Sequence, residues 1–205
     1  MNATVQPDAI RQPALPGEHV SPSPVLVLGL GNDILRDDAI GLRVAREVRR
    51  RLDGAVGIEV VETEEMGLAL LDFIIGHQDV VIVDAAQTGQ AEPGFVHEMR
   101  VSDLKRLRAG APHSLGLGEA IALGGVLGMD VPQCVKILAV EVEDPSTLGT
   151  QLTPRLQAAF PQIVERVLLT LAELGPRVVA SSIEPADFVN GNSCAAGPTP
   201  TSESN

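Results

Sequence analysis

Hydrophobic and polar residues alternate along the chain in blocks that predict strands and helices in turn. Continuous apolar runs such as Val25–Leu30 are typical of strands covered on both faces. Apolar residues that recur every four positions from Ile40 to Leu52 predict an amphipathic helix with arginines on its opposite face. The predicted strands cover residues 25–30, 58–62, 80–84, 94–99 and 135–142, and the predicted helices cover 40–52, 66–75, 115–127 and 153–174.

This order of elements predicts an α/β fold, a three-layer α/β/α sandwich with a mostly parallel twisted sheet of about five strands. The polar run 94–99 is predicted to be an edge strand. Thr153 and Pro154 are typical of a helix start, and Pro161 is expected to kink or split the helix that follows. Proline-rich, polar ends predict tails without fixed structure at 1–23 and 176–205, which leaves one domain over residues 24–175.

The amino-acid composition limits the kinds of molecule that the chain is expected to bind. The chain has 205 residues, of which 44% are hydrophobic, enough for one sizeable core. Its formal net charge of −12 argues against nucleic acid and anionic membranes, because both need a basic surface. No apolar stretch is long enough to span a bilayer, and the first residues lack the pattern of a signal peptide. We therefore expect a cytoplasmic protein without membrane insertion.

Chemically active residues cluster at predicted strand ends, where α/β sheets bind their ligands. Asp37 and Asp38 follow the first strand, Asp84 ends the third, and His113 precedes the third helix. Asp38, Asp84 and His113 supply two carboxylates and one imidazole, which suit a borderline divalent metal with open coordination positions and also suit an acid–base set. Each residue also has a structural interpretation, since Asp84 could cap a loop and His113 could neighbour a helix N-cap.

The two adjacent aspartates are expected to divide their roles. An aspartate at a helix start stabilises the helix, because it accepts hydrogen bonds from the free N–H groups and interacts favourably with the helix dipole. A cation bound by the other aspartate would relieve the repulsion between the two carboxylates. We assign Asp38 as the ligand and Asp37 as the helix cap. A nucleotide cofactor is not expected, because Ile34 stands where the third glycine of a dinucleotide fingerprint belongs. The aspartates would also repel a phosphate there.

Three segments, GLGNDILRDDAIGLRVAREV, VVIVDA and PHSLGL, resemble the [NiFe]-hydrogenase maturation endopeptidases in their order and spacing. The resemblance extends over roughly residues 25–174. It implies an α/β/α sandwich and an enzyme that removes the C-terminal peptide of a hydrogenase large-subunit precursor after nickel insertion. It also implies that nickel carried by this substrate is recognised by Asp38, Asp84 and His113, which would be both the metal ligands and the catalytic residues.

The chain departs from that family pattern at two places. Asp38 stands where many members carry Glu, so its side chain is shorter by one methylene group. The segment ETEEMG stands where many members carry a D-G-G-T-like turn. Its glutamates, Glu62, Glu64 and Glu65, are either additional cation-facing groups or a solvated acidic loop, and we favour the loop.

The implied mechanism is metal-guided hydrolysis, in which a carboxylate or a polarised water attacks the peptide bond. The chain lacks a nucleophile elbow, so an acyl-enzyme is not expected. Two alternatives stay open: a non-catalytic nickel-binding accessory protein, and a peptidyl-tRNA hydrolase, a family that also opens with a strand and G-L-G-N. The other histidines, His19, His77 and His97, are interpreted as surface residues.

Overall fold

The computed structural model describes residues 25–53, 55–101 and 116–174. Within these ranges one five-stranded sheet has the order β2-β1-β3-β5-β4. Strands β1, β2, β3 and β5 are parallel, and β4 pairs with β5 antiparallel at the edge. The elements are β1 Val25–Leu30, α1 Ile40–Arg51, β2 Ile58–Thr63, a 3-10 helix Gly67–Leu70, α2 Leu71–Ile74, β3 Asp79–Ala86, β4 Val96–Arg100, α3 Leu117–Val126, β5 Cys134–Glu141 and α4 Pro154–Glu173.

Two apolar layers cover the two faces of the sheet, so the predicted α/β/α sandwich is confirmed. One layer joins the sheet to α1 and α4, where Val44 and Val164 pack against strand residues such as Val81. The other joins it to α2 and α3, where Leu71 and Leu117 are buried with the opposite strand faces. Every residue of β1 is buried, as its continuous apolar run predicts, and burial of each of its Val and Leu side chains contributes about 1.5–3 kcal/mol.

The second predicted helix differs from the structure. The sequence pattern predicts one helix over residues 66–75, whereas the chain forms a 3-10 turn, Gly67–Leu70, and a single α-helical turn, Leu71–Ile74. Gly67 has a φ of 63° and Gly76 a φ of 81°, so a residue in the left-handed region stands at each end of the segment. These two glycines limit any continuous helix here to the eight residues between them, so the predicted ten-residue helix does not form.

Pro161 does not split the last helix. Helix α4 runs unbroken from Pro154 to Glu173 with Pro161 inside it, and Thr153 is its N-cap as predicted. Pro161 and Gln157 are both exposed, so water can satisfy the carbonyl oxygen of Gln157 that a proline nitrogen leaves without a partner.

The predicted tails, 1–23 and 176–205, lie outside the described residues, so the domain limits of 24 and 175 remain predictions. Across the described ranges, none of the helices combines the length and apolar character that a membrane crossing requires.

Candidate active site

The carboxyl ends of β1 and β3 form the point where the strand order reverses. From β1 the chain passes through α1 to β2 on one side, and from β2 it passes through α2 to β3 on the other side. Helix α1 packs on one face of the sheet and α2 on the opposite face. The two connections therefore diverge above the ends of β1 and β3, which opens the crevice where such sheets bind ligands.

Glycines let α1 approach this crevice closely. A Cβ atom on Gly41 would collide with the backbone oxygens of Leu30 and Val83, and one on Gly29 would collide with the backbone oxygen of Gly41. The first turn of α1 thus rests directly on the ends of β1 and β3. Protein backbone fills the space over these glycines, so they serve helix–sheet packing rather than a phosphate cradle.

Asp38 and Asp84 reach the same edge from these two strands. Gly31, with a φ of 146°, turns the chain off β1, and a Cβ there would collide with the backbone oxygen of Asp38. Asp84 lies in β3, two residues before its end, with Ala139 of β5 as its pairing partner. Both aspartates are buried, at 3% and 0% exposed. Buried carboxylates at the end of a sheet are costly unless they serve binding or hydrogen bonding.

Asp37 does not cap α1, so the predicted division of roles is wrong for this residue. The N-cap of α1 is Ala39, and it carries no side-chain cap hydrogen bond. The carboxylate of Asp37, which is 0% exposed, instead accepts hydrogen bonds from two residues before α4. Thr153 donates its backbone N–H (2.8 Å) and its hydroxyl (3.0 Å), and Asp144 donates its backbone N–H (3.0 Å). Asp37 therefore ties the loop that carries Asp38 to the β5–α4 connection.

The third predicted ligand, His113, lies outside the described residues. Among the residues that are described, no group of three or more His, Cys, Asp or Glu side chains is placed to hold a metal ion. The structure brings Asp38 and Asp84 to one edge of the sheet, and the full set with His113 remains a prediction.

The cationic groups that Glu62 contacts are arginine side chains of the protein itself. Glu62 accepts hydrogen bonds from Arg46 Nε (2.6 Å) and Arg49 Nη1 (2.6 Å), and Arg46 also forms an ion pair with Asp33. The hydrogen bonds from Arg46 lower the pKa of Asp33. The network pins the loop after β1 to the end of β2. Glu64 and Glu65 are exposed, as expected of a solvated loop.

A fourth buried carboxylate, that of Glu141, lies at this edge and is not among the residues predicted from the sequence. Glu141, 1% exposed, accepts hydrogen bonds from the hydroxyl of Thr88 (2.6 Å), the backbone N–H groups of Thr88 and Gly89 (2.8 Å each), and pairs with His97 Nε2 at 2.9 Å. Burial raises the pKa of Glu141, but the hydrogen bonds from Thr88, His97 and Gly89 outweigh it and hold the pKa below its usual value. Glu141 thus anchors the loop that follows β3.

The signal for Glu141 is present in the chain. It follows the apolar run ILAV in the same way that Asp84 follows VVIV. The interpretation of His77 and His97 as surface residues is wrong. Their side chains are 11% and 21% exposed, and each pairs with a glutamate, His77 with Glu59 at 3.2 Å. His19 lies outside the described residues.

Comparison with protein families gives one match over most of the domain. The model of a family described as hydrogenase maturation protease matches residues 42–170, more than half of the chain. The matched range includes Asp84 and His113 and begins just after Asp38.

Individual proteins give the same result. The chain is 27% identical to the hydrogenase 2 maturation protease of Escherichia coli (strain K12) over 157 residues, which cover 76% of this chain and 94% of that protein. The structure of the hydrogenase maturating endopeptidase HybD from E. coli superposes with a TM-score of 0.63 at 28% identity, over 74% of this chain and 93% of that one. The [NiFe] hydrogenase maturation protease HybD from Thermococcus kodakarensis superposes with a TM-score of 0.56 at 25% identity, over 72% and 98%.

Proposed function

The chain belongs to the hydrogenase maturation protease family, and from this premise we propose that it removes the C-terminal extension of a [NiFe]-hydrogenase large-subunit precursor after nickel insertion. It acts as an endopeptidase on a protein substrate. Its role in this scheme is to process the precursor once the metal is in place. The peptidyl-tRNA hydrolase alternative is not retained, because the family match joins the chain to the hydrogenase proteins.

The observation that carries the proposal is the pair of buried carboxylates at the switch point. Asp38 lies on the loop that follows β1, Asp84 lies in the adjacent strand β3, and both are at the edge where ligands of such sheets bind. Two buried carboxylates at this edge are suited to bind a cation. Residues of this kind fit the recognition of a metal that arrives with the substrate.

In the proposed mechanism, nickel belongs to the precursor and is recognised by Asp38, Asp84 and His113. Carboxylate oxygen and imidazole nitrogen are ligands that a borderline divalent metal accepts. This contact holds the C-terminal segment in the crevice. A water molecule then adds to the carbonyl carbon of the scissile bond, a carboxylate takes its proton and passes it to the leaving amine, and the C–N bond breaks.

The same three residues would also serve a non-catalytic nickel-binding accessory protein. The decisive experiment incubates nickel-loaded and nickel-free precursor with the protein and measures the mass of the product. We expect the wild type to shorten the nickel-loaded precursor and leave the nickel-free precursor intact. An unchanged mass with both substrates would favour the accessory protein, and equal cleavage of both would refute nickel recognition.

Variants test the assignment of residues. We expect Asp38→Asn, Asp84→Asn and His113→Ala to lose cleavage by at least about 100-fold, the scale of a catalytic or positioning group, with an unchanged circular dichroism spectrum. The matched control is Asp53→Asn, because Asp53 is exposed and follows α1 at the opposite edge of the sheet. It is expected to retain wild-type activity. Full activity in all three site variants would refute the site.

A further inference from the structure

Large apolar side chains are exposed around the candidate site. Ile34 is 61% exposed on the loop after β1, Met66 and Leu68 are 52% and 58% exposed after β2, and Leu148 is 73% exposed after β5. These strands are parallel, so all three loops lie at the carboxyl edge. We call these four residues the apolar rim.

The backbone under the apolar rim is held in place. Gly149 donates its N–H to the backbone oxygen of Ile34 (3.0 Å), Arg36 donates to that of Thr147 (3.0 Å), and an antiparallel bridge joins Leu35 to Leu148. The buried carboxylate of Asp37 adds three more hydrogen bonds between the same two loops. Ile34 and Leu148 are therefore presented on a backbone that is already ordered, which lowers the entropy cost of binding a partner.

Single exposed apolar residues are common on protein surfaces, and Val56, at 86% exposed, is one at the opposite edge. The apolar rim differs because it borders the crevice. Ile34 is four residues before Asp38 on the same loop. A group of apolar residues beside a crevice is typical of a surface that binds another protein.

Carboxylates are interspersed with the apolar rim. Glu64 and Glu65 precede Met66, and Glu143 lies on the loop of Leu148; all three are exposed. The whole chain carries a formal charge of −12. A second copy of the chain would bring like charges together on this surface, whereas a partner with basic side chains around an apolar patch would complement it.

We propose that the apolar rim is the docking surface for the hydrogenase large-subunit precursor, which binds it through an apolar patch flanked by Lys or Arg side chains next to the C-terminal extension. This inference rests on the proposed function. It divides the work at this edge between two surfaces: the rim binds the body of the precursor, and the crevice receives the segment to be cut.

The test is steady-state cleavage of nickel-loaded precursor by the double variant Ile34→Ser/Leu148→Ser. We expect KM to rise about tenfold or more, as for the loss of central apolar anchors, with kcat within about twofold of wild type. The matched control is Val56→Ser, which removes an even more exposed apolar side chain at the opposite edge of the sheet and should leave KM unchanged. A KM equal to that of the wild type in the double variant overturns the docking surface.

Two further arms keep the outcomes distinct. Glu64→Lys/Glu65→Lys should raise KM most at low salt, and a lowered KM would overturn the basic partner. If Ile34→Ser/Leu148→Ser alters the circular dichroism spectrum, Met66→Ser/Leu68→Ser replaces it with the same expectation. In sedimentation experiments we expect the wild type to be monomeric. A dimer that the rim variants dissociate would show that a second copy of the chain, and not the precursor, binds the apolar rim. Wild-type protein that cleaves no precursor refutes the proposed function itself, whereas normal cleavage with unchanged KM in every rim variant refutes only the docking surface.

Discussion

Replacement of Asp37 by Asn tests whether this aspartate is structural. Its carboxylate is completely buried and accepts three hydrogen bonds, one on Oδ1 and two on Oδ2. An asparagine keeps one acceptor oxygen and places an NH₂ group where the second oxygen was. In either orientation that NH₂ group faces a backbone N–H, from Thr153 or from Asp144, which then has no acceptor.

The magnitude follows from these contacts. At least one hydrogen bond to a charged acceptor is lost, which costs about 1.5–3 kcal/mol, and one buried N–H is left unsatisfied, which costs about 1–3 kcal/mol. These two costs partly describe the same event, so we expect Asp37→Asn to lower the free energy of unfolding by about 3 kcal/mol. For a domain of this size, that corresponds to a fall in Tm of roughly 6–12 °C.

The assay is urea unfolding followed by far-ultraviolet circular dichroism, since the chain contains no Trp or Tyr for fluorescence. The matched control is Asp33→Asn, the same substitution four residues earlier in the same loop. Asp33 pairs with Arg46 at the surface, so its loss should cost less than about 1 kcal/mol. If the two variants differ by less than about 1 kcal/mol, Asp37 does not fasten the loop and the argument is wrong.

Three further predictions concern stability and use the same unfolding assay. Glu141→Gln should destabilise the protein most at pH 7, because the pKa of Glu141 is lowered in the folded state. The stability that the ionised carboxylate contributes is complete above its unfolded pKa of about 4.3 and is lost as the pH falls through the folded pKa. A difference from wild type that grows as the pH falls below about 4.5 would contradict this sign. Gly41→Ala should cost about 3 kcal/mol or prevent folding, because its Cβ collides with backbone oxygens, whereas the control Gly125→Ala has open space in α3 and should gain up to about 1 kcal/mol. Equal effects of the two alanines would disprove the close packing of α1. Pro161→Ala should raise the free energy of unfolding by about 1 kcal/mol or more, because it restores a helix hydrogen bond. An unchanged free energy of unfolding would show that Pro161 does not destabilise α4.

The fold was predictable because its signals are local. Strand β1 is a continuous apolar run, and α1 repeats Ile40, Val44 and Val48 on one face, so each element carries its own pattern. The position of the crevice followed from one rule about strand ends, which placed Asp38 and Asp84 at the same edge. No contact between distant residues had to be known for either step.

The role of Asp37 was not predictable, because its partners are distant in sequence. Asp144 is 107 residues away and Thr153 is 116 residues away, and neither leaves a mark in the residues around Asp37. An aspartate just before a helix has the appearance of a cap, and only the fold shows that its carboxylate turns elsewhere. The pairing of Arg46 with Glu62 was hidden for the same reason, since it depends on how α1 lies against the end of β2.

The hydrogen bonds of Asp37 also bear on when the crevice takes shape during synthesis. A nascent chain that ends before Thr153 already contains Asp38 and Asp84 but lacks two of the three donors that hold the loop of Asp38. Because residues so far apart in sequence meet late, that loop acquires its final form only after the start of α4 has emerged from the ribosome. A chain without Thr153 therefore carries the acidic residues without the shaped site, and the capacity to bind a substrate there depends on the start of α4.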